Sequence, residues 1–173
     1  ANRELEKFEA TAVVNAGDFA ITGTFTMQGR VPRGGIPVTL TWTDGVYSAS
    51  DTTEDLLVNN FQVTVTYGGG YLITTNQDRY LNLTTASAKS ITVDGAKTLN
   101  ALMLRGGNVD NNDNVGLSDA SVIGGAYGSA GDPSTLLADA NFEGRVNILD
   151  LALVGGNYLL TTASAYTSWA PLP

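Results

Sequence analysis

The sequence predicts a mainly β protein: an antiparallel β-sandwich over residues 18–105, followed by a small α-helical duplicated unit over 106–158. Three observations predict it. Short segments rich in Thr, Val and aromatics alternate apolar and polar residues up to about residue 104. Turn residues punctuate them, as in Pro32-Arg33-Gly34-Gly35, Thr43-Asp44-Gly45, Gly68-Gly69-Gly70 and Asp94-Gly95. Beyond Arg105 the chain turns acidic and repeats itself at an offset of 31 residues.

Residues 1–17 come first. Phe8, Ala10, Ala12 and Val14 alternate there and read as a strand ahead of the sandwich. Such an arm either docks on its own domain or is donated to a neighbour's sheet edge, which repeated head to tail builds a filament. The next strands run through Phe19-Ala20-Ile21 to Phe25 and Met27, then through Ile36, Val38, Leu40 and Trp42. Phe61, Val63, Val65 and Tyr67 follow, then Tyr80 to Leu83, Ile91 to Val93 and Leu99 to Leu104. One-face alternation favours antiparallel pairing, since parallel strands covered on both faces are apolar throughout. Residues 159–173 form a tail that still carries Tyr166 and Trp169.

Composition narrows the chemistry. The 173 residues include 20 Gly but no Cys and no His, which removes imidazole and thiolate from any catalytic or metal site. Hard cations with oxygen ligands remain open. The net charge of −8 argues against a nucleic-acid partner. No apolar run approaches the ~20 residues of a membrane span. Seven of the 17 acids fall within residues 108–150, alongside one base, Arg145, so the acidity has a local cause.

The repeat supplies that cause. Asn108 to Asp119 lies over Asp139 to Asp150, and the register continues to a shared Gly-Gly-x-Tyr, Gly124 to Tyr127 over Gly155 to Tyr158. Each copy has the chemistry of an EF-hand-like calcium loop. In the second, Asp139, Asn141, Glu143, Asn147 and Asp150 put side-chain oxygens at positions 1, 3, 5, 9 and 12. Arg145 offers its carbonyl at position 7, and Gly144 allows the sharp turn at position 6. In the first, Asn108, Asp110, Asn112 and Asp119 correspond, Asn114 offers its carbonyl, and Gly116 leaves position 9 to a bridging water. Two formal charges face an ion there, against three in the second loop. Val146 at position 8 is expected to anchor loop to loop through a small strand pair. Helices are expected over Leu117–Tyr127 and Ile148–Tyr158, burying Leu117, Ala120, Ile123, Tyr127, Ile148, Leu151, Ala152, Val154 and Tyr158. Their Gly pairs are expected to permit close approach of another element.

Loop-plus-helix repeats with no entering helix resemble dockerin modules, and Leu137 to Leu151 is similar to the type I dockerin repeat. The preceding sandwich, through Ile91 to Gly107, resembles carboxypeptidase-regulatory-like or Cna-B-like domains. The dockerin resemblance implies two Ca2+ ions, an extracellular setting and a protein partner, a cohesin in cellulosomes. It implies partner contacts at loop positions 10 and 11, here Leu117-Ser118 and Ile148-Leu149; Ile148 also fits a core position.

Catalysis is not expected. The remaining acids fall mostly at turns, and Asp51, Glu54 and Asp55 read as a solvated loop rather than the positioned pair of a glycosidase. Trp42, Tyr47, Tyr67, Tyr71 and Tyr80 are candidates for a sugar-stacking platform, or for sandwich core. The expected function is a non-catalytic, calcium-stabilised secreted assembly protein, a homopolymeric fibre subunit joined by strand complementation. The alternatives are a module that binds a cohesin on an extracellular scaffold and, less favoured, a carbohydrate-binding module.

Overall fold

The computed structural model describes residues 16–30, 34–54, 59–84 and 89–173. The expected strand at Phe8–Val14 and the acid Asp55 lie outside these residues. The strands are β1 (Ala16–Met27), β2 (Pro37–Trp42), β3 (Ser48–Thr52), β4 (Asn60–Tyr67), β5 (Gly69–Thr75), β6 (Arg79–Tyr80), β7 (Lys89–Val93), β8 (Lys97–Thr98), β9 (Leu102–Leu104) and β10 (Gly106–Asn108). Two helices follow, α1 (Leu117–Gly125) and α2 (Ile148–Gly156).

Alternation selects the buried face. Ile21, Phe25 and Met27 of β1 and Phe61, Val63 and Val65 of β4 point into one core, and so do Val38 and Leu40 of β2, Tyr71 and Ile73 of β5, and Ile91 and Val93 of β7. Burying each large side chain of this kind contributes about 1.5–3 kcal/mol. One sheet has the order β3-β2-β5-β7, antiparallel throughout. The other departs from the expected antiparallel pattern. β1 pairs antiparallel with β4, but on its other side it runs parallel to β8 at Ile21–Thr22 and to β9 at Phe25–Met27. The chain after β7 crosses to the opposite sheet and ascends beside β1 in two short pieces, a connection that alternation cannot reveal because it fixes faces and not directions. β1 also begins at Ala16, within the segment expected to be the arm, and takes in Gly17-Asp18 through an irregularity before Phe19.

β10 pairs with β6 and hands the chain to the helical unit without a free linker. Gly106 and Gly107 are buried. A Cβ on Gly107, whose φ is +105°, would stand 3.0 Å from the Val154 nitrogen, and one on Gly106 would stand 3.3 Å from Leu153 Cδ1. α2 therefore lies directly on bare backbone. Asn157, just past α2, donates to the Gly106 carbonyl (2.7 Å) and to Gln28 Oε1 (2.6 Å).

The close approach is here and not at the helical Gly pairs. Gly124, Gly125, Gly155 and Gly156 have nothing near their Cβ positions, and both helices end at these glycines, two residues short of Tyr127 and Tyr158. Glycine's low helix propensity stops the helix where no packing compensates. The tail returns to its own sandwich. Tyr166 donates to the Leu81 carbonyl (2.5 Å) and accepts from Arg105 N–H (2.9 Å), Asn100 N–H donates to the Pro171 carbonyl (2.8 Å), and Trp169 meets Phe25 edge-on at 5.9 Å.

Candidate functional site

The two loops, 108–119 and 139–150, share one backbone. Left-handed residues recur at the 31-residue offset: Asn111 and Phe142, Asp113 and Gly144, Gly128 and Leu159. Gly144 was legible as such a turn; Asp113, at the same position of the first loop, is a residue type that tolerates it. Phe142 and Leu159 carried no local signal, since a bulky residue rarely adopts this region unless packing imposes it.

Side chains repeat the same hydrogen bonds. Glu143 N–H donates to Asp139 Oδ1 (3.0 Å) as Asn112 N–H does to Asn108 Oδ1 (3.1 Å). Glu143 N–H reaches Asn141 Oδ1 (3.2 Å) as Asn112 N–H reaches Asp110 Oδ1 (3.2 Å). The last acid of each loop closes it: Asp150 accepts from Asn141 and Asn147 N–H (3.3 and 2.8 Å), Asp119 from Asp110 and Gly116 N–H (3.2 and 2.8 Å). Both closing acids stand in the first turn of a helix, where the helix dipole favours a negative charge.

The loops differ in finish. Asp139 also accepts from Gly144 N–H (2.7 Å), and Asn147 caps α2 through Leu149 N–H (2.7 Å) while its amide contacts Glu143 Oε1. In loop one Asn112 spends its amide on Asp110 (2.8 Å), and Gly116 has no side chain with which to cap α1.

Val146 does not pair with the other loop. It exchanges hydrogen bonds with Gly128 and Ser129 (both 2.9 Å), residues that follow α1, while Val115 exchanges with Leu159 and Leu160 (2.8 and 2.9 Å), which follow α2. Each loop is thus latched by the segment leaving the opposite helix, and the duplication is interlocked crosswise. The sequence register found the pair of valines but not their partners.

Burial sets the electrostatics. Asp119, Asp139 and Asp150 are 0% exposed, with Asn108 and Asn141 also buried; Asp110, Asn112 and Glu143 are exposed, and Asn114 and Asn147 half-buried. Loss of solvent pushes the carboxyls of Asp119 and Asp150 above the usual carboxylate range, against the lowering effect of the N–H groups they accept from. Among the described residues no three of His, Cys, Asp or Glu are gathered closely enough to hold a metal by themselves, so amide and carbonyl oxygens would have to complete any cation site here.

A feature the sequence did not signal holds the loops to the sandwich. Arg79 is 3% exposed in β6. Its Nη1 donates to the Asp139 carbonyl (2.8 Å), its guanidinium lies 4.0 Å from the centre of the Phe142 ring, and its backbone N–H donates to Asn111 Oδ1 (2.7 Å). Arg30 lies over the same ring at 3.8 Å.

The helices bury little. α1 buries Asp119 and Ile123, and α2 buries Asp150, Leu153 and Val154. Leu117, Tyr127, Ile148 and Tyr158, expected inside, are 71%, 55%, 62% and 51% exposed, and Leu149 and Val122 are exposed beside them. The core available is the width of a two-helix unit, and it is filled by Val109, Val115, Ile123, Ala138, Ala140 and Val146. The first residues of each helix therefore face outward as an apolar surface, which includes three of the four residues at loop positions 10 and 11.

Elsewhere the candidates disperse. Tyr71 and Tyr80 are 0% exposed, and Tyr80 donates inward to the Gln28 carbonyl (3.1 Å). Trp42, Tyr47, Tyr67 and Tyr71 pack on one another at centroid distances of 5.4–6.3 Å and interplanar angles of 38–84°, so they share no flat face. Asp51 and Glu54 border an open groove of about 690 Å³, where Asp51 accepts from Gln62 N–H (3.1 Å). Among the described residues no helix is long and apolar enough to cross a membrane.

No family model and no curated protein matches the chain. Solved structures do. A chain from a type II cohesin–X–dockerin complex of Acetivibrio cellulolyticus, an N-terminal interface mutant, superposes with a TM-score of 0.63 at 14% identity, covering 84% of this chain and 98% of that one. A chain from the corresponding C-terminal interface mutant complex gives 0.60 at 15% identity, with the same coverage. At these identities the likeness is one of fold. Residues 1–108 make up less than two thirds of the sequence, so a match over 84% runs past β10 into the loops and helices.

Proposed function

We propose that this protein is a non-catalytic, extracellular interaction module: its duplicated loops take up two Ca2+ ions in the manner of a dockerin, and its outward helical face docks on a cohesin-type partner. The single observation that carries the reading is the exposure of Leu117, Ile148 and Leu149 at the starts of two helices whose loops close by the same hydrogen bonds. Apolar side chains so placed, beside polar loops, are the arrangement of a protein-binding face. The fold likeness to chains of a cohesin–X–dockerin complex adds support.

The residues fit a hard cation. Asp139, Asn141, Glu143, Asn147, Asp150 and the Arg145 carbonyl would hold one ion; Asn108, Asp110, Asn112, Asp119, the Asn114 carbonyl and a water at Gly116 would hold the other. Buried carboxylates raised by desolvation are the groups a divalent ion would relieve, since its charge offsets the cost of their burial. Bound calcium would supply folding free energy to the helical unit by linkage. The chain's own share is to gather these oxygens and keep both helix starts at a fixed separation.

The fibre reading needs a segment that docks on a neighbour, and the arm and the tail are the two terminal segments that could supply it. The tail packs on its own sandwich, which leaves strand donation to residues 1–15 alone and favours the cohesin-type partner.

The test is a pull-down against immobilised cohesins of several types, with calcium and with chelator. Binding in calcium that chelator abolishes, and that Ile148→Asp combined with Leu149→Asp weakens at least tenfold, is the expected result. Capture unaffected by both changes sinks the reading. Sedimentation of the intact protein decides the polymer: a single monomeric boundary in calcium removes it.

A further inference from the structure

Arg79 touches the same position of both loops by two different means. Asn111 and Phe142 are the fourth residues of their loops, 31 apart, and both are left-handed at φ 54° and 59°. The first receives Arg79's backbone N–H on its side-chain oxygen at 2.7 Å. The second receives Arg79's guanidinium on its ring at 4.0 Å, while the same guanidinium donates to the carbonyl of Asp139, the first residue of that loop, at 2.8 Å. Arg79 itself is left-handed (φ 68°), which turns its N–H toward one loop and its side chain toward the other.

We propose that Arg79 is a positioning residue that holds both loops in their folded shape from the sandwich side, so that the loops stand pre-formed before a cation arrives. This deepens the calcium reading and rests on it for its functional meaning. A left-handed Phe is strained on its own, whereas Asn adopts this region readily but does not by itself hold it. A buried guanidinium with a planar fork and an aromatic face is suited to fix such a turn, because a cation on a desolvated ring and a charge-assisted hydrogen bond act together. Once position 4 is fixed, the N–H groups of Glu143 and Gly144 are aimed at Asp139, as observed at 3.0 and 2.7 Å.

The two contacts separate by mutation. Arg79→Met removes the guanidinium but leaves the backbone N–H, so it releases loop two alone. Asn111→Gly, which keeps the left-handed backbone without strain, releases loop one alone. The readout is amide hydrogen exchange in chelator, where no metal contributes. Gly144 N–H, bonded to Asp139, should exchange at least tenfold faster in Arg79→Met while Gly116 N–H, bonded to Asp119, stays within twofold; Asn111→Gly should do the reverse. Calcium titration of the same variants should show the second loop, and then the first, weakened by a similar factor. Gly144 exchange unchanged in Arg79→Met overturns the role of Arg79 whatever calcium does. Absence of calcium uptake by the unmutated protein overturns the calcium reading and leaves the exchange result standing. If Arg79→Met loses the near-ultraviolet signal of the sandwich, Phe142→Leu, which keeps Arg79, takes its place with the same expected change at Gly144.

Discussion

Tyr166 joins the tail, the β9–β10 junction and the stretch after β6 through one buried hydroxyl that donates to Leu81 and accepts from Arg105. Burial pushes its phenol well above the ordinary value of 10.0, against the lowering effect of Arg105. Tyr80, buried in the core, is raised for the same first reason. For a group whose folded pKa is raised, the stabilisation is complete below the unfolded value and is lost as pH climbs above it, because only the unfolded chain then gives up the proton. Denaturation midpoints should hold steady up to about pH 10 and fall beyond it. Tyr166→Phe should flatten that alkaline fall while costing about 1–3 kcal/mol at neutral pH, since the Leu81 carbonyl and Arg105 N–H lose their partner. Guanidinium titrations at pH 7 and pH 10.5 check both halves. At this scale the sequence was most legible where chemistry is local. Asp150 as the last loop residue and Gly144 as a turn follow from spacing, whereas Asn147, read there only as a position 9 oxygen, also caps α2. Arg79 and Phe142 were not legible, because their contacts join residues 60 or so apart and leave no periodic trace.

Glycine shows how far an element can be read before its neighbours are known. Four glycines in two Gly-Gly pairs were expected to mark close packing on the helices; those positions are open, and the packing falls on Gly106-Gly107 instead. Gly155→Ala should therefore stabilise α2 by about 0.5–1 kcal/mol, as helix propensity alone dictates. Gly107→Ala should destabilise by more than that, because φ +105° disfavours a side chain and the new Cβ would meet α2 backbone at 3.0–3.1 Å. Thermal melts of the two variants should move in opposite directions; a shared direction removes the argument. The same contrast explains the strands. Alternation placed Phe61, Val63 and Val65, and Val38 and Leu40, on the core face. The parallel seat of β8 and β9 beside β1 was invisible, since it is a matter of connection and direction. Helix starts were legible from the loop chemistry, and helix ends were misplaced by the two residues that glycine removes.

The molecule divides its stability unevenly. The sandwich holds most of the large buried side chains, whereas the helical unit depends on a short core, on crosswise latches and on its seat against the sandwich. That seat belongs to α2, through Leu153 at Gly29 and Gly106, Val154 at Gly107, and Asn157 at Gln28. α1 has Ile123 as its one buried apolar side chain, no side-chain cap at Gly116, and a loop carrying two acids among its candidate ligands against three in the other. Local opening free energies follow buried contact and satisfied hydrogen bonds. In chelator, α1 should therefore open well before α2, with amide protection at Ile123 lower than at Val154 by at least tenfold, which corresponds to about 1.4 kcal/mol. Calcium should raise the protection of both helices, and that of α2 by more, because stabilisation by linkage grows with affinity and the second loop carries three acids against two. Hydrogen exchange followed by NMR, with chelator and with calcium, measures both. Equal protection of the two helices without the ion would mean that the crosswise latches, and not the seat on the sandwich, decide which half of the duplication stands.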